Sequence, residues 1–146
     1  MKIKVAWIGK TKERAVQQLT AEYVKRIAHY SAIETLEFAN DAALLRQAEK
    51  SFGRIPPVLL LLDPRGRQLS SEQFAALLRE HQERGTQVLM FAVGGADGFG
   101  AEARQSASAQ LSLGPMTLAH ELARVVLLEQ LYRAFTILAG HPYHRG

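Results

Sequence analysis

Apolar positions in this chain switch repeatedly between a period of two and a helical period, and that alternation predicts its elements. From Lys2 to Ile8, Ile3, Val5 and Trp7 alternate against lysines, as in a strand. Thr11 to Ala28 has helical composition, with Leu19, Tyr23 and Ile27 recurring every four residues. Ile33 to Phe38 gives a short strand, and Asp41 to Phe52 a helix with Asp41 at its N-cap. Pro57 to Asp63 (PVLLLLD) is a continuous apolar run, which fits a strand covered on both faces. Ser70 opens a helix, Gln73 completes a capping box, and Gly85 marks the end. Gln87 to Val93 is a second continuous apolar strand. A short helix from Ala101 to Ser108, a strand from Gln110 to Leu113 and a long helix from about Leu118 to Ala139 complete the pattern. Strands alternating with helices predict an α/β fold: a mostly parallel sheet flanked by helices, in one domain spanning residues 1–146. No internal repeat or linker interrupts it.

Size and composition narrow the classes. With 146 residues, 47% of them hydrophobic, the chain can bury a core of its own. A net charge of +4 suits an anionic partner, but the dense Lys/Arg clusters of a protein that holds nucleic acid by charge alone are missing. Cysteine is absent, which excludes disulfides and thiolate zinc sites. The N-terminal apolar run is too short for a signal peptide. His120, Glu121, Arg124, Glu129 and Arg133 interrupt the longest apolar stretch, so no membrane span is expected. The expectation is a soluble, cytoplasmic protein without membrane contact.

Ligands of open α/β sheets bind beyond the carboxyl ends of the strands. Three segments fall there: LDPRG after the third strand, VGGADGFG after the fourth and SLGPMTL after the fifth. Together they would build a pocket largely from backbone. Four glycines between Gly94 and Gly100 permit close approach to a ligand, although a tight strand-to-helix turn needs one or two of them anyway. Gly114-Pro115 leaves backbone groups free to read a ligand edge, with Met116 and Leu118 as apolar walls; the same loop could simply position the last helix. Gly98, Gly100 and Ala103 match a dinucleotide fingerprint, with Glu121 about twenty residues on, but the match follows the wrong strand for that motif.

The histidines divide by context. His29 and His81 sit in helical patterns and are expected at the surface, while His120 begins the last helix in a capping or supporting role. His141 and His144 are spaced H-x-x-H but lack a helix and an acidic ligand, so no metal site is expected. The tail sets His141, Tyr143, His144 and Arg145 within five residues of one another. It reads either as a solvated basic end or as an acid–base and anion-binding cluster. In the last helix Leu122, Val125, Val126, Leu128, Leu131, Phe135 and Leu138 cover more than one face, which fits a deep core helix or a subunit interface. Arg124, Glu129 and Arg133 form the remaining face, with Glu129 and Arg133 spaced for a surface ion pair.

The succession LDPRG, VGGADGF, LSLGPMTLAHELARVVLLEQLYRA and HPYHR closely resembles the RlmH family, small SPOUT-superfamily methyltransferases that act on a pseudouridine of bacterial 23S ribosomal RNA. GKTKERAVQQLTAEYVKRIAHY fits as well, and the last 36 residues are the most specific part. The chain is shorter than is usual for the family between Asn40 and Pro56. The resemblance implies a C-terminal trefoil knot and a homodimer with the last helix at its interface. It implies S-adenosylmethionine as cofactor, at Leu62, Gly94 and the run Leu113, Gly114, Pro115, Met116, Thr117 and Leu118. It also implies methyl transfer to N3 of pseudouridine, with ribosomal RNA presented by the assembled ribosome.

In that chemistry His144 would accept the proton or position the base, Arg145 would stabilise developing negative charge or hold a phosphate, and Tyr143 would stack on a nucleobase. The tail of one subunit could complete the site of the other. Arg124 and Arg133, with Arg65 and Arg67, are candidate RNA contacts or ordinary surface arginines. Two other readings stay open: an NAD-type oxidoreductase built on Gly98, Gly100 and Ala103, and a non-catalytic ribosome-binding module.

Overall fold

A computed structural model describes residues 1–49 and 55–145. Five strands, β1 (Lys2–Ile8), β2 (Ile33–Phe38), β3 (Val58–Gln68), β4 (Val88–Val93) and β5 (Ala109–Ser112), form one sheet in the order β2-β1-β4-β3-β5. Every pairing is parallel. The helices are α1 (Arg14–Ile27), α2 (Asp41–Glu49), α3 (Ser71–Arg84), α4 (Ala101–Ser106) and α5 (His120–Ala139).

The apolar strand runs have the expected cause: the sheet is covered on both faces. Ile3, Val5, Leu60, Leu89, Phe91 and Leu111 pack against Ile27, Phe74, Leu78, Leu127, Leu128 and Phe135 of α1, α3 and α5. On the other face Ala6, Leu59, Leu61, Met90 and Ala92 meet Leu44 and Leu45 of α2 and Ala103 of α4. Successive residues of β3 thus serve opposite cores, which no alternating pattern could do. The capping box forms as the sequence predicts: Ser70 Oγ accepts from Gln73 N at 3.1 Å, and Gln73 Oε1 accepts from Ser70 N at 2.8 Å. Gly85 closes α3 at φ +78°.

Several expectations are corrected. Asn40, not Asp41, caps α2: its Oδ1 accepts from Ala43 N at 2.9 Å. Asp41 instead accepts from Gly100 N at 2.8 Å, tying α2 to the entry of α4. The helix expected to reach Phe52 is described to Glu49, and the rest of that span lies outside the described residues. LDPRG is not a loop after β3 but part of it. The register against β5 jumps between Leu62 and Arg67, so residues 63–66 bulge out of the ladder. Gly66 makes the bulge possible, because a Cβ there would lie 2.7 Å from the Gln110 and Leu111 backbone. His81, expected at the surface, is buried, and its Nδ1 is paired with Thr86 Oγ1 at 2.8 Å.

Candidate active site

The irregular middle of β3 and the carboxyl ends of β4 and β5 open onto one cleft of about 400 Å³, within the range of small-molecule sites. Its walls are Leu62–Pro64 from the bulge, Val93–Ala96 and Gly98 from the glycine turn, and Ser112–Gly114 and Met116–His120 from the last connection. All the residues expected to hold cofactor line it except Pro115, which sits in the same loop. The three segments singled out in the sequence therefore converge.

Backbone dominates the cleft for identifiable reasons. Gly94 is buried, and a Cβ on it would come within 3.0 Å of the Gly98 backbone, so a side chain there would push the turn apart. Gly98 N–H donates to Gly95 O at 3.0 Å, closing the turn. Ser112 Oγ donates to Gly114 O at 2.9 Å and accepts from Gly114 N at 3.1 Å, which fixes the bend after β5. Beyond that bend Met116, Thr117 and Leu118 make no backbone hydrogen bond among the described residues, leaving their N–H and C=O groups to water or a ligand. This donor and acceptor set suits a neutral, flat heterocycle.

Among the described residues one formally charged side chain stands in the cleft, and sequence reasoning passed over it. Asp63 is 6% exposed. Its Oδ1 accepts from Arg65 N at 2.8 Å, and the Arg65 and Arg104 guanidinium groups each lie 3.6 Å from the carboxylate. Arg104 spends its Nε and Nη2 donors on Phe99 O at 3.2 and 2.8 Å. The available signal was an aspartate closing an otherwise apolar strand at its ligand-bearing end.

His120 is the first residue of α5 and lines both the cleft and a wider groove beside it, into which Lys10, Lys12 and Asp41 also face. Behind it, α5 grips the connection between β1 and α1. Glu121 Oε1 accepts from Lys12 N at 2.9 Å and Glu13 N at 3.1 Å, and these bonds hold its carboxyl below the usual carboxylate range. Glu121 thus commits Oε1 to the connection between β1 and α1, which leaves the dinucleotide fingerprint without the ribose-binding acid it requires. Arg124, expected at the surface as an RNA contact, is wholly buried. Its guanidinium donates to Thr11 Oγ1 at 2.8 Å and to Ile8 O at 2.9 Å, and lies over the Trp7 ring. Burial lowers its pKa, partly offset by Glu121 and Glu37. Its role is structural.

The tail folds back on α5 and α3. Gly140 at φ +72° ends α5, and His141 N–H donates to Thr136 O at 2.9 Å. Tyr143 Oη donates to Glu129 Oε1 at 3.1 Å, and the Tyr143 ring packs edge-on against Tyr132. His144 bridges Arg133 Nη1 at 3.0 Å and Glu72 Oε1 at 2.8 Å. A guanidinium only donates, so Nδ1 accepts from Arg133 and Nε2 carries the hydrogen toward Glu72. The Glu129–Arg133 pair is accordingly half-buried within the tail network, not a free surface pair. Arg145 is exposed.

Among the described residues, no tail residue lines the cleft of its own chain. Arg133, which anchors His144, lies more than three turns along α5 from His120, about 20 Å. One chain therefore separates the two halves of the chemistry inferred from sequence.

A family model described as "Predicted SPOUT methyltransferase" matches residues 1–144. A protein named ribosomal RNA large subunit methyltransferase H from Koribacter versatilis is 56% identical over 146 residues, covering 100% of this chain and 99% of the relative. Its namesake from Pelobacter propionicus is 41% identical over 152 residues, covering 99% of each chain. Among solved structures, the SpoU methyltransferase AviRb from Streptomyces viridochromogenes, in complex with AdoMet, superposes with a TM-score of 0.56 at 13% identity. That likeness covers 96% of this chain and 59% of that one, and it concerns the fold.

Proposed function

The chain belongs to the SPOUT methyltransferase family, alongside proteins named ribosomal RNA large subunit methyltransferase H, and from that membership we propose that it methylates N3 of a pseudouridine in bacterial 23S ribosomal RNA. The methyl donor is S-adenosylmethionine and the substrate is RNA in the assembled ribosome. The observation that carries this reading is the convergence of three backbone-built segments on one cleft. Its size and open N–H and C=O groups fit an adenine-bearing cofactor.

When bound, the cofactor supplies an electrophilic methyl group. The protein has two tasks: to align N3 with that methyl group, and to take away the N3 proton as the N–C bond forms. Residues 112–118 present backbone to the heterocycle. His144 is the proton acceptor in this reading: its Nδ1 lone pair is held by Arg133 and becomes available when substrate displaces that contact. Arg145, exposed and positive, stabilises the anion developing on the imide or holds an adjacent phosphate. Tyr143 stacks or positions; its phenol is pushed up to about 12 by burial and by Glu129, so it stays protonated at neutral pH.

The active form in this reading is a homodimer in which the tail of one subunit completes the cleft of the other. Two features support it: the separation of tail and cleft within one chain, and apolar surface left uncovered around α5. Leu122 is 47% exposed, and Leu19 continues the stripe of Val16, Tyr23 and Ile27 on α1 yet is 43% exposed. Arg65 on the bulge, Arg67 just after it and Arg145 are exposed cations available to RNA.

Incubation with methyl-labelled S-adenosylmethionine and whole ribosomes, free large-subunit RNA or transfer RNA tests the proposal. Label on pseudouridine N3 from ribosomes is the expected result. Label on transfer RNA would overturn the substrate, and bound cofactor with no label anywhere would favour a non-catalytic ribosome-binding role.

A further inference from the structure

Among the described residues that line the cleft, Asp63 is the only one with a formal charge, and His120 is the only other ionisable one. A 6% exposed carboxylate in a site made mostly of backbone and apolar side chains calls for a partner. Its own surroundings satisfy it incompletely. Oδ1 accepts from Arg65 N, but among the described residues Oδ2 has only Arg104 Nε at 3.6 Å, beyond hydrogen-bond reach, and Arg104 already donates to Phe99 O. The Arg65 side chain is 71% exposed, so water screens its charge. An acceptor oxygen and part of a negative charge therefore remain for whatever occupies the cleft.

The proposed donor carries a positive sulfonium, and the product left after transfer is a neutral thioether with the same adenosine and amino-acid parts. We propose that Asp63 is the residue that distinguishes the two. Its carboxylate attracts the cationic donor, and that attraction vanishes when the C–S bond breaks and the methyl group leaves for N3. The bulge of residues 63–66 serves this role: it takes Asp63 out of the β3–β5 ladder at the cleft wall, and the bond to Arg65 N holds the side chain there. The inference rests on the reading of S-adenosylmethionine as cofactor.

Calorimetry on the full-length protein tests it with three probes: S-adenosylmethionine, the thioether S-adenosylhomocysteine, and sinefungin, which bears an ammonium-carrying carbon in place of the sulfonium. The wild type should bind both cations more tightly than the thioether. Asp63→Asn keeps an acceptor for Arg65 N and removes the charge. It should weaken both cations about tenfold, the order expected for losing one charge whose field the arginines partly offset, while the thioether changes less than about threefold. Equal loss for all three probes would make Asp63 a structural residue only and overturn the proposal. So would a wild type with no preference for the cations, which needs no variant. If none of the probes binds the wild type, the cofactor reading itself fails.

Discussion

Arg124 Nη1 donates to Thr11 Oγ1 at 2.8 Å, joining the start of the last helix to the connection after the first strand across most of the chain. The same guanidinium holds Ile8 O and covers Trp7, and Glu121 one turn earlier holds two further backbone N–H groups of that connection. The site-bearing end of α5 is thereby fixed to the sheet before any ligand arrives.

Arg124→Ala should accordingly cost about 3–5 kcal/mol, because it leaves buried acceptors unpaired and opens a void under Trp7. Thr11→Val should cost about 1 kcal/mol. Urea denaturation measures both, and a loss below about 1 kcal/mol for Arg124→Ala would show that the connection is held by other contacts.

Gly66→Ala should destabilise by about 1–3 kcal/mol, since the added methyl group meets backbone that cannot turn aside. Because the displaced bulge carries Asp63 and adjoins Leu62, cofactor affinity should fall with stability. Thermal melts with and without cofactor report both effects.

His81 predicts an acid-labile component of stability. Burial lowers its folded pKa, with Arg84 adding to the shift and Glu80 opposing it. The unfolded state, with an ordinary pKa near 6.5, therefore binds more protons as the solution is acidified. Stability is fully present above that unfolded value and is lost as pH falls below it toward the depressed folded value. Urea midpoints at a series of pH values should decline below about 6.5 in the wild type, and less steeply in His81→Gln.

Tyr143→Phe should leave the pH profile of methyl transfer unshifted, because the phenol, at about 12, does not titrate in the working range. An unchanged KM for ribosomes with the profile intact fits stacking, which the phenyl ring retains; loss of a titration step would assign Tyr143 a proton.

Much of this was legible in the chain. The runs LLLL and VLMFAV predict buried parallel strands because only a sheet covered on both faces needs continuous apolar sequence, and Ser70 with Gln73 spells a cap that the fold uses unchanged. The three segments of the cleft were legible because their glycines and prolines interrupt the apolar strand runs, at strand ends after β4 and β5 and at the bulge within β3. The errors were tertiary. Arg124 reads as surface in a helical pattern, and only the folded chain brings Ile8 and Thr11 to receive its donors. His81 is buried because α3 turns it onto Thr86, and the bulge at Asp63 depends on a register with β5 that strand composition does not encode. The tail residues were identifiable by type, but their distance from the cleft of the same chain was not.

The account turns on whether the tail of one subunit serves the cleft of the other, and mixed dimers measure that directly. One partner carries Thr117→Trp, which fills the cleft from an exposed loop position, and the other carries His144→Ala with Arg145→Ala. Each variant alone should be inactive on ribosomes, the second with cofactor binding retained. Co-expressed, they leave one intact cleft facing one intact tail, and methyl transfer should return to about half of the wild-type value per mixed dimer, one of the two composite sites being whole. Mixed dimers that form and remain inactive would place tail and cleft in the same chain and contradict the account.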